Sequence, residues 1–531
     1  MIKKSSSLFL FAIFAYSIFC ATQLGIAWDT FFYYELGKDR LDYLLSFGRD
    51  DSFLRVPHSK YLPGAYSTIS AFFVQFFPKK YLIESLYFIN LSFSFLCLVG
   101  IYKISKELFN KEIAIITFII CFFNPIFFGH MAVNQNDNIL TFANIWFFYY
   151  LLRYFKKQNE NSKRNKYVIL SGLLLGLGLG VRTSFLVTLI PLFIFFIIDY
   201  FFSKSLFKKE FSIRNFSFDS IKVVFISYLF MVLFWPHTHG NILIMPFILA
   251  IEGLSYGFGV PFIMLNSEIF LTNEFPKNYI FINLFYKLPE FVILSYLIFF
   301  ILLIKLLKYF NGQFNSFNNK IFLIFIIILF PNILLIFSPY SPYDGLRFFL
   351  YLIPYISIIP AILIFYFLKN LKKTYVKFIS VIYFLLVIFH VANFFYLTPY
   401  HYVYLNLMAG KTENHHKKFE NDYWGISTKK LINQIDKSDK VKKNLVVKLA
   451  TCGIEEKAQE MYLNKIKNFK FKIVSNNEDY DFIIMNNRII FNQPKNSKKI
   501  QTCFEKFVGK SVTEIKVRNL VISKIVQKVP N

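Results

Sequence analysis

Residues 1–35 read MIKKSSSLFLFAIFAYSIFCATQLGIAWDTFFYYE, and the order of chemistry along them decides the fold. Lys3 and Lys4 precede an apolar run over residues 7–27, after which Asp29 stands among Trp28, Phe31, Phe32, Tyr33 and Tyr34. A basic start followed by an apolar run has the outline of a secretory signal. Here the run is long and lacks a small-residue cleavage site, so it reads as a retained first helix. A hydrocarbon core about 30 Å thick takes roughly 20 apolar residues per helical crossing. The run is therefore long enough to cross, and it delivers a carboxylate and a cluster of rings to a membrane surface.

Further runs lie near residues 81–102, 112–129, 138–153, 167–181, 183–201, 221–236, 289–305, 321–338, 348–368 and 376–396. With the first they make about eleven spans. Of 531 residues, 55% are hydrophobic and 21% aromatic, more than the core of a soluble domain needs, so the surplus must face lipid. Backbone amides find no partner in lipid, which makes the spans helical. The expected fold is an all-α polytopic membrane bundle over residues 1–400, with a small α/β domain over 401–531 where the composition turns polar and Lys-rich. In that tail a helix is expected near 427–437, strands near 444–449 and 481–485, and β-like runs near the end.

The loops assign sides. Lys103, Lys106 and Lys111 share one loop, and Arg153, Lys156, Lys157, Lys163, Arg164 and Lys166 another. Lys204, Lys208, Lys209 and Arg214 follow, then Lys305, Lys308 and Lys320, then Lys369, Lys372, Lys373 and Lys377. These loops fall on the side of the N-terminus, which the positive-inside rule makes cytoplasmic; an odd span count puts the tail outside, in a periplasmic or other extracytoplasmic space. A bacterial inner membrane is the expected setting. Residues 62–77 and 241–265 are apolar but broken by Pro and Gly, and read as interfacial or re-entrant pieces of an outward cavity.

The net charge of +27 raises nucleic acid as a partner, but Lys and Arg gather between spans and in the tail, and no basic helix stripe occurs. A bias to Phe, Ile, Lys and Asn also suits an AT-rich genome, which inflates Lys without functional meaning. The five cysteines form no CxxC pair; Cys452 and Cys503 share the tail and fit a disulfide or two free thiols equally. Gly172, Gly176 and Gly180 recur every fourth residue and suit close helix packing; a phosphate-cradling loop would need a following Lys-Ser/Thr, which is missing. His237 and His239 have no third ligand in sequence, so no metal site is expected there.

The residues with unusual chemistry all fall on the outer side. Asp29 at an aromatic interface suits a general base for an acceptor hydroxyl, and equally a solvated helix end. Asp137, with His130, Asn134, Asn136 and Asn138, starts the fourth span. Helix capping suffices to explain it, and His130 has a structural reading as a hydrogen-bonding residue. Arg347 enters the tenth span from outside and needs an anion: a lipid phosphate, Asp344 beside it, or headgroups reached by snorkelling. Arg182 is similar and weaker, and Lys287 weaker still. Tyr343 and Asp344, next to Arg347, join Glu35 and His130 as candidates to touch substrate.

In this order these residues resemble the GT-C glycosyltransferases, in particular the protein O-mannosyltransferase and aminoarabinose transferase superfamily. The resemblance is carried by the acid after the first span, GHMAVNQNDNILTF (129–142), INLFYKLPE (282–290), YDGLRFFLYLIP (343–354), PYHYVYLNLMAG (399–410) and FENDYWG (419–425). It implies a polyprenyl-phosphate-linked sugar as donor, an outer-leaflet site, Asp29 as base, Asp137 as the second acid, and Arg347 with Arg182 on the carrier phosphate. The acceptor it implies is a lipid, glycan or protein hydroxyl. The family pairs two acids in the first outer loop, whereas Thr30 follows Asp29 here; Glu35 stands as the substitute, and a divalent cation stays compatible with the pattern. Direct displacement at the anomeric carbon would invert it. The rival reading, a polytopic transporter or lipid flippase, calls for ionisable residues near mid-bilayer and internal repeats.

Overall fold

The computed structural model describes residues 2–204, 211–256, 260–338, 340–372, 374–436, 446–490 and 500–528. Lys208, Lys209 and Lys373 of the basic loops, and the first residues of the strand expected at 444–449, lie outside these. Every apolar run picked from the sequence is largely helical, the first ending at Gln23, short of residue 27. The first half holds α1 (Ile2–Gln23), α2 (Thr30–Leu45), α3 (Ala65–Val74), α4 (Leu82–Leu108), α5 (Lys111–Phe122), α6 (Pro125–His130), α7 (Gln135–Lys157), α8 (Asn161–Val181), α9 (Phe185–Ile198) and α10 (Ile213–Leu233). The second half adds α11 (Met245–Ser255), a hairpin of β1 (Phe262–Leu265) and β2 (Glu268–Leu271), and helices α12 (Tyr279–Lys287), α13 (Glu290–Ile301), α14 (Leu303–Asn311), α15 (Phe317–Phe337), α16 (Leu352–Ile356), α17 (Ile358–Asn370) and α18 (Thr374–Tyr396).

Fewer of these helices are long and apolar enough to cross a membrane than the eleven runs suggest. Among the described residues six qualify, or seven when α12 and α13, bent by 113°, count as one span. Local chemistry explains part of the difference. The run at 112–129 is cut by Asn124-Pro125: the Asn124 side chain accepts from the amides of Ile126 and Phe127, both at 3.1 Å, and starts α6 afresh. The polar start of α8, NSKRNK, extends that helix beyond its apolar part. The segment at 62–77 forms the short α3, too short to cross.

The three spaced glycines serve packing, as expected. A Cβ on Gly172 would come within 2.7 Å of Ile226, one on Gly176 within 2.8 Å of Phe230, and one on Gly180 within 2.7 Å of Ala65. Their missing side chains let α8 lie against α10 and α3.

The basic loops share one end of the bundle. Glu107 binds Arg153 at 2.7 Å and Lys156 at 2.8 Å, Glu112 binds Lys369 at 3.1 Å, and Lys320 lies over the Phe109 ring. Asp137 begins α7 and Lys156 ends it, which puts them about 30 Å apart at 1.5 Å per residue.

Beyond α18 the chain runs over the opposite end of the bundle and enters the tail. There α19 (Thr428–Asp436), β3 (Val447–Cys452), α20 (Glu456–Leu463), β4 (Phe471–Ile473), β5 (Phe482–Asn486), α21 (Cys503–Lys506), β6 (Lys510–Val517) and β7 (Leu520–Gln527) build one five-stranded sheet in the order β4-β3-β5-β7-β6. β4, β3 and β5 are parallel; β7 runs antiparallel to both β5 and β6. Cys452 and Cys503 are joined as a disulfide, with Cα atoms 5.9 Å apart.

The tail is not a loose appendage. Its apolar core continues into the bundle, where Leu24, Ile26, Ala27, Ile83 and Tyr87 pack in one cluster with Trp424, Ile426, Leu431 and Leu449. Residues 24–28 are strapped between the two. Gly25 N donates to Ile426 O at 2.8 Å, Ile26 N to the Tyr462 hydroxyl at 2.5 Å, Ala27 N to the Tyr87 hydroxyl at 2.8 Å, and Trp28 N to Trp424 O at 3.0 Å.

Candidate active site

The strap ends at Asp29, which is the residue before α2 but caps nothing with its side chain. The carboxylate instead meets Arg347: Asp29 Oδ2 accepts from Arg347 Nη2 at 2.7 Å. The reading of Asp29 as a solvated helix end does not describe this contact.

Asp137 is not the cap of α7 either. Asn134 takes that role, its side chain accepting from Asp137 N at 3.2 Å, and the Asp137 carboxylate is left free to pair. Its oxygens lie 3.0 Å from Arg182 Nη1 and 3.5 Å from Arg347 Nε. Arg182 is held at the end of α8, where its amide closes the last turn on Gly178 O at 3.0 Å.

Asp344 and Gly345 both take left-handed backbone, with φ of 54° and 68°. This tight turn is tolerated by Asp and suited to Gly. A Cβ on Gly345 would meet the Lys287 amine at 2.2 Å, so the glycine also makes room for a buried cation. The turn aims one Asp344 oxygen at Arg347 Nη1, 3.0 Å away, and the other at Arg488 Nη1, 2.7 Å away. Arg488 in turn lies 3.8 Å from Glu420.

The result is a continuous alternation of charge: Arg182, Asp137, Arg347 with Asp29 at its side, Asp344, Arg488, Glu420. The side chains of Asp137, Asp344 and Arg347 are 2%, 3% and 5% exposed, whereas Asp29 is 26% exposed. Of the carboxylates on Arg347, Asp29 is thus the one open to an incoming molecule. Aromatic rings wall the guanidinium: Trp424 at 4.6 Å, Phe348 at 5.0 Å and Tyr343 at 5.3 Å from its centre. Arg182 lies 4.7 Å over the same Phe348. Such walls exclude water and strengthen every charge interaction within them.

The other candidates fall into place unevenly. His130 is fully buried; its Nδ1 donates to Ile126 O at 2.7 Å and its Nε2 accepts from the Tyr423 hydroxyl at 2.9 Å. Burial pushes its pKa down to about 4, so it is a neutral strut between α6 and the tail. Glu35 is not brought to Asp29: it is exposed and binds Lys457 of the tail at 2.6 Å. His237 and His239 bond within the protein, His239 to the Tyr43 hydroxyl at 2.9 Å and to Val232 O at 2.8 Å. No group of three or more His, Cys, Asp or Glu suited to a metal ion occurs among the described residues.

Two members escaped the sequence reading, Arg488 and Glu420. Glu420 lies inside FENDYWG, which carried the resemblance without a role for its acid. Arg488 had one signal: the tail holds only two arginines, Arg488 and Arg518, against its many lysines. Arginine is the cation that tolerates burial between carboxylates. Burial pushes the Glu420 carboxyl up to about 7, against the pull of Arg488.

Residues 65–238, which include Asp137 and Arg182, match the family described as dolichyl-phosphate-mannose-protein mannosyltransferase. No curated protein matches the chain. Among solved structures, ArnT from Cupriavidus metallidurans in the apo state is 10% identical with a TM-score of 0.50, over 91% of this chain and 93% of that one. The same protein bound to undecaprenyl phosphate aligns with a TM-score of 0.49 at 10% identity, over 92% of this chain and 94% of that one. The apo oligosaccharyltransferase of Archaeoglobus fulgidus aligns with 0.49 at 11% identity, over 90% of this chain and 69% of that one. The fold is that of the GT-C glycosyltransferases. The chain is similar in fold to ArnT and, over residues 65–238, in sequence to the mannosyltransferase family.

Proposed function

We propose that the protein is an inverting glycosyltransferase that moves a hexose or pentose from a polyprenyl-phosphate carrier to an acceptor hydroxyl on the outer face of a membrane. The observation that carries this reading is the 2.7 Å contact between Asp29 and Arg347: a partly open carboxylate and a buried guanidinium meet in one chamber. The matched family is described by a lipid-phosphate sugar, which supports the donor class. The basic loops at the far end of α7 support a cytoplasmic N-terminus, and the tail disulfide supports an oxidising, extracytoplasmic tail. A bacterial inner membrane is the setting we favour.

Sugar transfer needs a base behind the acceptor oxygen and a counter-charge for the departing phosphate. Without substrate, the oxygens of Asp29 and Asp137 occupy guanidinium positions that phosphate oxygens would take. An entering carrier phosphate competes for Arg347 and Arg182 and frees Asp29. The acceptor hydroxyl then gives its proton to Asp29 while its oxygen bonds to the anomeric carbon. The bond from that carbon to the phosphate oxygen breaks, and the electron pair leaves on the carrier, facing Arg347. Attack opposite the leaving group inverts the centre. Asp137, buried beneath both guanidinium groups, acts by positioning them. A divalent cation would meet Asp29, Asp137 and Asp344 each already paired with a guanidinium. A transporter would spread its ionised groups along a path through the bilayer; here the chain of buried pairs gathers where α7 begins.

The test is turnover in reconstituted vesicles supplied with a polyprenyl-phosphate sugar and an envelope extract. Asp29→Asn should abolish transfer while folding normally, and unchanged turnover would remove Asp29 as the base.

A further inference from the structure

The tail holds an open crevice of about 920 Å³ that the mechanism above does not use. Its floor forms where the three parallel strands end, at Thr451 and Gly453 by β3, Ser475 and Asn476 past β4, and Arg488 past β5. Loops diverge at the carboxyl ends of parallel strands, and in open α/β sheets ligands bind there. The crevice also reaches the bundle, because Trp28, the neighbour of Asp29, lines it.

Arg488 joins the two sites. Gly453 has a φ of +71°, and a Cβ there would come within 2.8 Å of the Arg488 Cβ and 2.4 Å of Asn486 Oδ1. The bare backbone lets the Arg488 side chain pass from the crevice to Asp344, with its guanidinium 5.5 Å from the Trp28 ring. One end of the crevice is therefore the ion-pair chain itself.

The lining states what the crevice would take. The Thr451 hydroxyl donates to Gln459 Oε1 at 2.8 Å, and Asn476 Nδ2 donates to Thr451 O at 3.2 Å. Gln459, which also lines the crevice, is only 4% exposed, and its amide nitrogen has no partner. A buried donor without an acceptor is a group that an incoming hydroxyl could satisfy. The two cations present are already matched, Lys457 by Glu35 and Arg488 by Asp344, so the lining does not select an anion. What it offers is amides, hydroxyls and a half-open indole face, the set that bonds ring hydroxyls and covers the apolar face of a sugar.

We propose that this crevice binds the saccharide part of the acceptor and presents one of its hydroxyls to Asp29 past Trp28. The inference rests on the transferase reading and names the acceptor class for it.

The full-length protein in lipid nanodiscs is screened against an array of defined, fluorophore-tagged oligosaccharides, and the tightest binder is titrated. Ser475→Trp, which fills the crevice from an exposed position, and Gln459→Leu, which removes the unpartnered donor, should each weaken that binding about tenfold or more. Melting temperature and polyprenyl-phosphate affinity, read in the same samples, should stay at parental values and report intact folding. The proposal is overturned if no oligosaccharide is retained or if both variants bind as the parent does. Failure of the transferase reading looks different: the parent then does not cleave a polyprenyl-phosphate sugar at all, whereas failure of the crevice alone leaves donor turnover intact.

Discussion

The two ends of α7 use the same residue types in opposite ways. At the Lys156 end, Glu107 meets Arg153 and Lys156 with side chains 19%, 28% and 36% exposed, and water shares in every charge. At the Asp137 end, Asp137, Asp344 and Arg347 are 2–5% exposed, and the Arg347 guanidinium is ringed by Trp424, Phe348 and Tyr343. Solvated pairs contribute about 0–1 kcal/mol. Buried pairs are hard to justify by stability, because desolvation cancels much of the attraction and an apolar replacement often does as well. A chain of buried alternating charges that leaves one carboxylate partly open is better explained by chemistry than by folding. The difference also teaches how to separate the two roles by experiment.

The largest effect is expected at the open member. Asp29→Asn should lower turnover by about 10²- to 10⁴-fold, the range for loss of a general base, with melting temperature unchanged. Equal losses of activity and stability would instead make Asp29 a structural ion-pair partner. Next comes Arg347→Ala, which leaves Asp29, Asp137 and Asp344 without their shared guanidinium. Breaking a buried pair this way should destabilise by about 3–5 kcal/mol in a denaturation series. Arg347→Lys keeps the charge, and its donor affinity by titration should still fall, because an ammonium cannot hold the bidentate geometry.

A smaller effect concerns Glu420, whose carboxyl is pushed up from 4.5 to about 7 by burial. Between those values the folded protein binds the proton more tightly than the unfolded chain. Stability from this group is thus present at low pH and is lost as pH rises through that window. Glu420→Gln should flatten this part of the pH profile of the melting temperature; an unaltered slope would place the titration elsewhere. The smallest effect belongs to the solvated end. Glu107→Gln should change stability by about 1 kcal/mol or less and leave turnover untouched. A larger loss would erase the contrast between the two ends.

The contrast also explains what could be read from the sequence. Asp29, Asp137, Arg182 and Arg347 each stand at the border of an apolar run, where a charge is conspicuous, and all four meet in the structure. The helices were legible for the same reason, since hydropathy is a local property. How many of them cross was less so: a break such as Asn124-Pro125 is set by capping rather than composition. Glu35 offers itself as the substitute for the paired acid of the first outer loop because it is near Asp29 in sequence. Proximity along a helix misled, since a residue six positions on points to the tail and finds Lys457. Arg488 is inconspicuous because the tail is rich in lysine, so one more cation draws no notice, and its partner Asp344 is 144 positions away.

The strap at residues 24–28 carries a consequence for biogenesis. Asp29 is translated long before its frame, which comes from Trp424, Ile426 and Tyr462, and the charge chain around it closes only with Arg488. A ribosome has inserted every hydrophobic helix well before it supplies those groups. The nascent protein therefore dwells in the bilayer as an inert scaffold, and chemical competence arrives late, with docking of the tail domain.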